Sequence, residues 1–91
     1  QFEIVNNYPN PFNPGTEIFY NIPHVSFISL YIYDLKGELI EILIDEMQIM
    51  GKHSKIWDGK NYNNIQMPSG IYFAILKTEN QLVSHKLLLM K

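Results

Sequence analysis

Three features of the sequence predict an all-β fold, an immunoglobulin-like antiparallel β-sandwich of about seven strands. The first is composition. One alanine, Ala74, stands against 13 isoleucines and 12 aromatic residues, and β-branched and aromatic side chains suit a pleated, half-buried surface better than a helix. The second is a succession of short alternating apolar segments, separated by turn signals roughly every 10 to 15 residues. The third is length: 91 residues supply one core and not two, so residues 1–91 are expected to form a single domain.

The first strand is expected over Phe2–Val5. It runs into Asn6-Asn7-Tyr8-Pro9-Asn10-Pro11-Phe12-Asn13-Pro14-Gly15, where three prolines remove ladder donors and force extended or turn geometry. Ile18, Tyr20 and Ile22 then alternate with Glu17, Phe19 and Asn21 in a second strand closed by Pro23, its inner face on the Ile18 side. The third strand sets Ser26, Ile28, Leu30 and Ile32 against Phe27, Ser29, Tyr31 and Tyr33, and Asp34-Leu35-Lys36-Gly37 turns it into a hairpin. Its partner, Glu38–Asp45, reads as a strand, although Leu39, Ile40, Leu43, Met47 and Met50 also fall at helical spacing. The fifth strand, His53–Trp57, ends in Trp57-Asp58-Gly59 and a polar loop over Lys60–Asn64. Ser69-Gly70 opens the sixth, Ile71–Lys77, and Glu79-Asn80-Gln81 turns it into the last, Leu82–Met90. Without cysteines to pin two sheets together, Trp57 is the expected anchor of the core, burying on the order of 200 Å² and needing one acceptor for its indole N–H.

Composition also excludes function classes. Seven lysines, no arginine and nine acidic residues give a net charge of −2, with no basic stripe for phosphates, so no nucleic-acid partner is expected. No apolar run approaches the roughly 20 residues of a transmembrane helix. The absence of cysteine removes disulfides, thiolate nucleophiles and cysteine-ligated metals. The chain opens on Gln1 without a signal-peptide pattern, which reads as part of a longer protein. His24, His53 and His85 are scattered rather than set at metal-ligand spacing, and no metal or other cofactor is expected. Asp58–Asn64 resembles a calcium loop only distantly, because Lys60 and Tyr62 stand where oxygen ligands belong, and a turn is the better reading. With no nucleophile elbow, no phosphate-binding glycine loop and no plausible Ser, His and Asp group, an enzyme is not expected.

The end of the chain is more informative. Lys86-Leu87-Leu88-Leu89-Met90-Lys91 sets four apolar residues between two lysines. Such a run fits a strand buried on both faces; it also fits an exposed edge strand that serves as a handle for strand addition or for pairing of two copies.

Six segments carry a resemblance: Tyr8-Pro9-Asn10-Pro11-Phe12-Asn13-Pro14-Gly15-Thr16, Ile32-Tyr33-Asp34-Leu35-x-Gly37, Gly51-x-His53, Trp57-Asp58-Gly59, Ser69-Gly70-Ile71-Tyr72 and Lys86–Lys91. In this order and spacing they resemble the C-terminal sorting domain of the type IX (Por) secretion system, itself related to the immunoglobulin-like domain of the flagellar hook-capping protein. The resemblance implies a non-catalytic secretion signal on a larger protein of a Gram-negative bacterium, exported through the periplasm and directed across the outer membrane to be secreted or held at the cell surface. It implies the secretion machinery as partner, including an outer-membrane translocon and a sortase-like enzyme. Recognition by that machinery falls on Gly70, Tyr72, Lys86, Leu88, Met90 and Lys91. Two departures stand out: Asn64 replaces a glycine usual after the Trp-Asp-Gly turn, and lysine or neutral residues stand at positions often occupied by arginine. The alternative reading is an accessory module that binds carbohydrate or protein through Phe27, Tyr31 or Tyr62.

Overall fold

The computed structural model describes all 91 residues and contains seven strands in two sheets: β1 (Glu3–Tyr8), β2 (Thr16–Ile22), β3 (Ser26–Asp34), β4 (Leu39–Gln48), β5 (Gly51–Trp57), β6 (Gly70–Lys77) and β7 (Leu82–Leu89). One sheet has the order β1-β2-β5 and the other β4-β3-β6-β7. Every strand pair within them is antiparallel. The architecture is the predicted sandwich, and its cause is the two-residue period of the strands. Thr16, Ile18, Tyr20 and Ile22 of β2 face inward against Ile28, Leu30 and Ile32 of β3 and Tyr72, Ala74 and Leu76 of β6.

Local chemistry fixes the connections. In the β3–β4 hairpin, Asp34 Oδ1 accepts the N–H groups of Lys36 and Glu38, each at 2.9 Å, while Gly37 takes a φ of +87°, open to glycine at no steric cost. The β6–β7 turn closes when the Thr78 N–H donates to the Gln81 carbonyl and the Gln81 N–H donates to Thr78 Oγ1. After β5, Asp58 Oδ1 accepts the Lys60 N–H, Asn61 Oδ1 accepts those of Asn63 and Ile65, and Asn64 adopts a φ of 64°. The loop thus spends its side-chain oxygens on its own backbone, and Asn64 holds the left-handed position expected of it.

The strand limits differ from the sequence reading where irregularities intervene. β1 runs on to Tyr8, three residues past the expected Val5, because a bulge between Ile4 and Asn6 leaves Val5 exposed and lets Asn7 turn inward. β4 is a strand, yet its apolar residues are out of simple alternation. Its pairing with β3 shifts register twice, so Ile40 and Ile44 are buried while Ile42, between them, is exposed. Two bulges therefore imitate the helical spacing visible in the sequence.

Trp57 has no solvent exposure. Its indole N–H donates to the Lys60 carbonyl at 2.9 Å, and its ring meets Phe12 at 5.5 Å and Tyr72 at 5.3 Å between centroids. Phe12 reaches this position from the proline-rich loop between β1 and β2 and is itself buried.

Candidate functional site

β7 lies at the edge of the four-stranded sheet, joined to β6 along its whole length with Gly70 opposite Leu89, Ile71 opposite Leu88 and Phe73 opposite Lys86. Leu87 and Leu89 point inward and are fully buried, Leu88 is half-buried, and Lys86 and Met90 are exposed. The terminal apolar run is therefore divided by the pleat, and Lys86, Leu88 and Met90 form a row on the outer face at the two-residue spacing of a strand.

The far side of β7 is closed at one end only. The Phe12 N–H donates to the Leu88 carbonyl and the Met90 N–H donates to the Phe12 carbonyl, both at 3.0 Å, a parallel bridge that straps the strand end. Since strand backbone groups alternate in direction, those of Leu82, Ser84 and Lys86 also face away from β6, beyond the reach of the strap. Lys91 is tied by its N–H to Ser69 Oγ at 2.9 Å and by Nζ to the Met67 carbonyl at 3.4 Å.

The other expected recognition residues lie elsewhere. Tyr72 faces the core, its ring against Trp57 and its hydroxyl donating to the Pro68 carbonyl at 2.7 Å; burial raises the pKa of that hydroxyl. Gly70 opens β6 beneath the terminal row. The structure thus brings Lys86, Leu88, Met90 and Lys91 together at one corner and sets Tyr72 behind them.

A buried polar network supports β7 from inside. His85 Nε2 lies 2.9 Å from Asn7 Oδ1, and the Asn7 amide nitrogen donates to Thr16 Oγ1 at 3.1 Å and to the Pro9 carbonyl at 3.3 Å. Because that nitrogen already donates, the Asn7 oxygen accepts and Nε2 carries the proton. Burial lowers the pKa of the imidazole. His53 stacks on Tyr20 at 5.4 Å and bonds the Ile49 carbonyl, while His24 contacts Ser26 and Phe2. Each histidine has its own partners, and no three His, Asp or Glu side chains converge as a metal site. Burial also pushes the Tyr20 phenol up to about 12; its bond to Gln48 opposes the shift and the charge of Glu46 adds to it.

What the sequence reading missed is the surface continuous with the terminal row. In register across the sheet, Lys86 is followed by Phe73 and Tyr33, and Ser84 by Ile75 and Tyr31. These aromatic and aliphatic side chains are half-buried on the outer face, around a shallow groove of about 470 Å³. The available signal was apolar residues at both parities of β3 and β6, where a strand with one wet face has polar residues at every second position. Of the aromatics expected on the surface, Phe27 and Tyr62 are exposed and Tyr31 is half-buried.

A family model described as "Secretion system C-terminal sorting domain" matches residues 6–90. No curated protein sequence matches the chain. Among solved structures, the chain superposes on dimeric latent PorU from Porphyromonas gingivalis with a TM-score of 0.70 at 19% identity, covering 96% of this chain and 9% of PorU. PorZ, an essential bacterial surface component of the type IX secretion system of the same organism, gives 0.66 at 16% identity, over 94% of this chain and 11% of PorZ. FlgD from P. aeruginosa gives 0.63 at 23% identity, over 93% of this chain and 63% of FlgD. At these identities the likeness concerns the fold, and the chain spans about a tenth of the length of PorU and of PorZ.

Proposed function

The chain belongs to the family of secretion system C-terminal sorting domains, the type IX signals that send proteins across the outer membrane to the surface or the medium, and from this premise we propose that it acts as a folded, non-catalytic label read at its last strand. The observation that supports this reading is the corner formed by β7. Lys86, Leu88 and Met90 stand in one row, Lys91 lies beside them, and the backbone edge over Leu82–Lys86 is unpaired. Strand pairing and burial of apolar side chains between charged ends would supply the binding energy. Gly70 and Tyr72 act from behind, through the strand and the core that hold the row in register. In this reading residues 1–91 work as one domain, the cargo passes through the periplasm, and the partners are the outer-membrane translocon and a sortase-like enzyme. The same open stretch of β7 is where two copies would pair edge to edge.

The test fuses residues 1–91 behind a signal peptide and a fluorescent protein in a bacterium that has the type IX pathway. Fluorescence is expected outside the cell, and removal of Leu87–Lys91 is expected to keep it inside. Equal export with and without those residues refutes the assignment. Retention of the intact, folded fusion in the periplasm would instead favour an accessory binding module working through Phe27 or Tyr62.

A further inference from the structure

The outer faces of the two sheets differ in composition. On the three-stranded sheet, Glu17 accepts a hydrogen bond from Ser54 at 2.6 Å and Asn21 donates to Glu3 at 2.7 Å, so polar pairs are interspersed among its apolar residues Phe19, Val5 and Ile56. On the four-stranded sheet the corresponding positions are Tyr31 and Tyr33 of β3, Phe73 and Ile75 of β6, and Leu88 of β7, all half-buried, with Ile42 of β4 exposed beside them. A sheet face of this composition is unusual in a soluble sandwich and marks a contact surface. Exposed lysines stand on its β7 side, and one more, Lys36, lies in the β3–β4 turn at its end. Lys77 and Lys86 are exposed at the β6–β7 margin, whereas on β4 Asp45 accepts a hydrogen bond from Ser29 at 2.8 Å.

We propose that the secretion machinery engages this whole outer face and not the terminal row alone, through a protein surface that is apolar at its centre and acidic where it meets Lys77 and Lys86. This rests on the reading of β7 as the signal. Two observations choose a protein component of the machinery as occupant. The apolar face is continuous with the row Lys86–Leu88–Met90, since Lys86 lies directly across from Phe73 and Leu88 from Ile71. The lysine margin calls for an acidic counterpart on the β7 side. Tyr33 and Phe73 lie next to each other at the centre of the face, where aromatic side chains carry a disproportionate share of binding energy.

The test uses the same fusion. Tyr33→Lys and Phe73→Lys place a charge at the centre of the face, and Ile56→Lys, at an exposed position of β5 on the other sheet, is the control. Tyr33→Thr and Phe73→Thr, which suit a strand, serve where a lysine prevents folding, as judged by urea titration of the purified domain. The expected result is export reduced on the order of tenfold in the folded face variants, unchanged export for Ile56→Lys, and a several-fold reduction for Lys77→Glu. Parental export by the face variants, with the fusion lacking Leu87–Lys91 retained, overturns this inference and leaves the β7 reading standing. Failure of the parental fusion to leave the cell overturns both. The purified domain is also mixed with phosphatidylethanolamine–phosphatidylglycerol vesicles and sedimented at increasing concentration. Vesicle binding or dimerisation abolished by Phe73→Lys would assign the face to lipid or to a second copy, against the proposal.

Discussion

Trp57 and His85 show how single side chains hold the ends of this domain in place. Trp57 is sealed between Phe12 and Tyr72, with its N–H satisfied by Lys60. Trp57→Ala should therefore cost about 3–5 kcal/mol, the range for truncating a buried aromatic, measured as a lowered urea midpoint; Trp57→Phe should recover much of it, since the ring contacts remain and only the bond to Lys60 is lost. His85 provides a pH dependence. The unfolded chain protonates there near the ordinary value of 6.5, whereas burial holds the folded imidazole lower. In the window between the two values the unfolded state binds more protons, so the contribution of His85 is complete above about 6.5, declines as the pH falls through that value, and levels off below the folded one. Urea titrations of the parent and of His85→Gln should show the parent's margin over the variant shrinking between pH 7.5 and pH 5. A constant margin would mean that the Asn7–His85 bond is indifferent to the charge on the ring.

At the scale of elements, the proline-rich loop and β7 behave as one unit. The loop supplies Phe12, whose backbone pairs with Leu88 and Met90 and whose ring is buried against Trp57. It packs so closely on the turn after β5 that a Cβ at Gly59, which has a φ of +80°, would collide with the Pro14 carbonyl. Phe12→Ala should loosen the strap before it unfolds the sheet. Amide exchange at Met90 should then accelerate by more than tenfold, on the order of what losing one tertiary anchor allows, while amides of the β3–β6 ladder stay protected. Much of the element order was legible: prolines, Asp34–Gly37 and Ser69-Gly70 punctuate the strands where expected, and the alternation names the buried side of β2 correctly and in β3 separates the buried set from the outer one. The limits of β1 and the facing of β4 were not, because a bulge is a property of two paired strands, and the spacing it leaves in β4 alone reads equally well as a helix. The strap was legible as an ordered loop, but not as a partner of β7. That contact joins residues more than 70 positions apart, as does the bond between Asn7 and His85.

At the scale of the molecule, the fold class and Trp57 as the anchor of the core could be read from composition and strand pattern, whereas the place of Tyr72 against Trp57 and the outer face could not. Alternation identifies the buried face of a strand only where the other is polar. Tyr31, Tyr33, Phe73 and Ile75 are apolar on the side that turned out to face away from the core, so hydropathy separated two sets without saying which one is buried, and of these four only Tyr31 was expected at the surface. The corner at β7 has a consequence for the order of events in the life of the domain. Lys86, Leu88 and Met90 become a row only once β7 has paired with β6 on one side and Phe12 has bridged it on the other. The first is a local hairpin, but the second closes a loop of more than 70 residues, the kind of contact that forms late and slowly in β-rich folds. A partner that binds the assembled row therefore distinguishes a finished domain from an unfinished one, and recognition doubles as a test of whether folding has been completed.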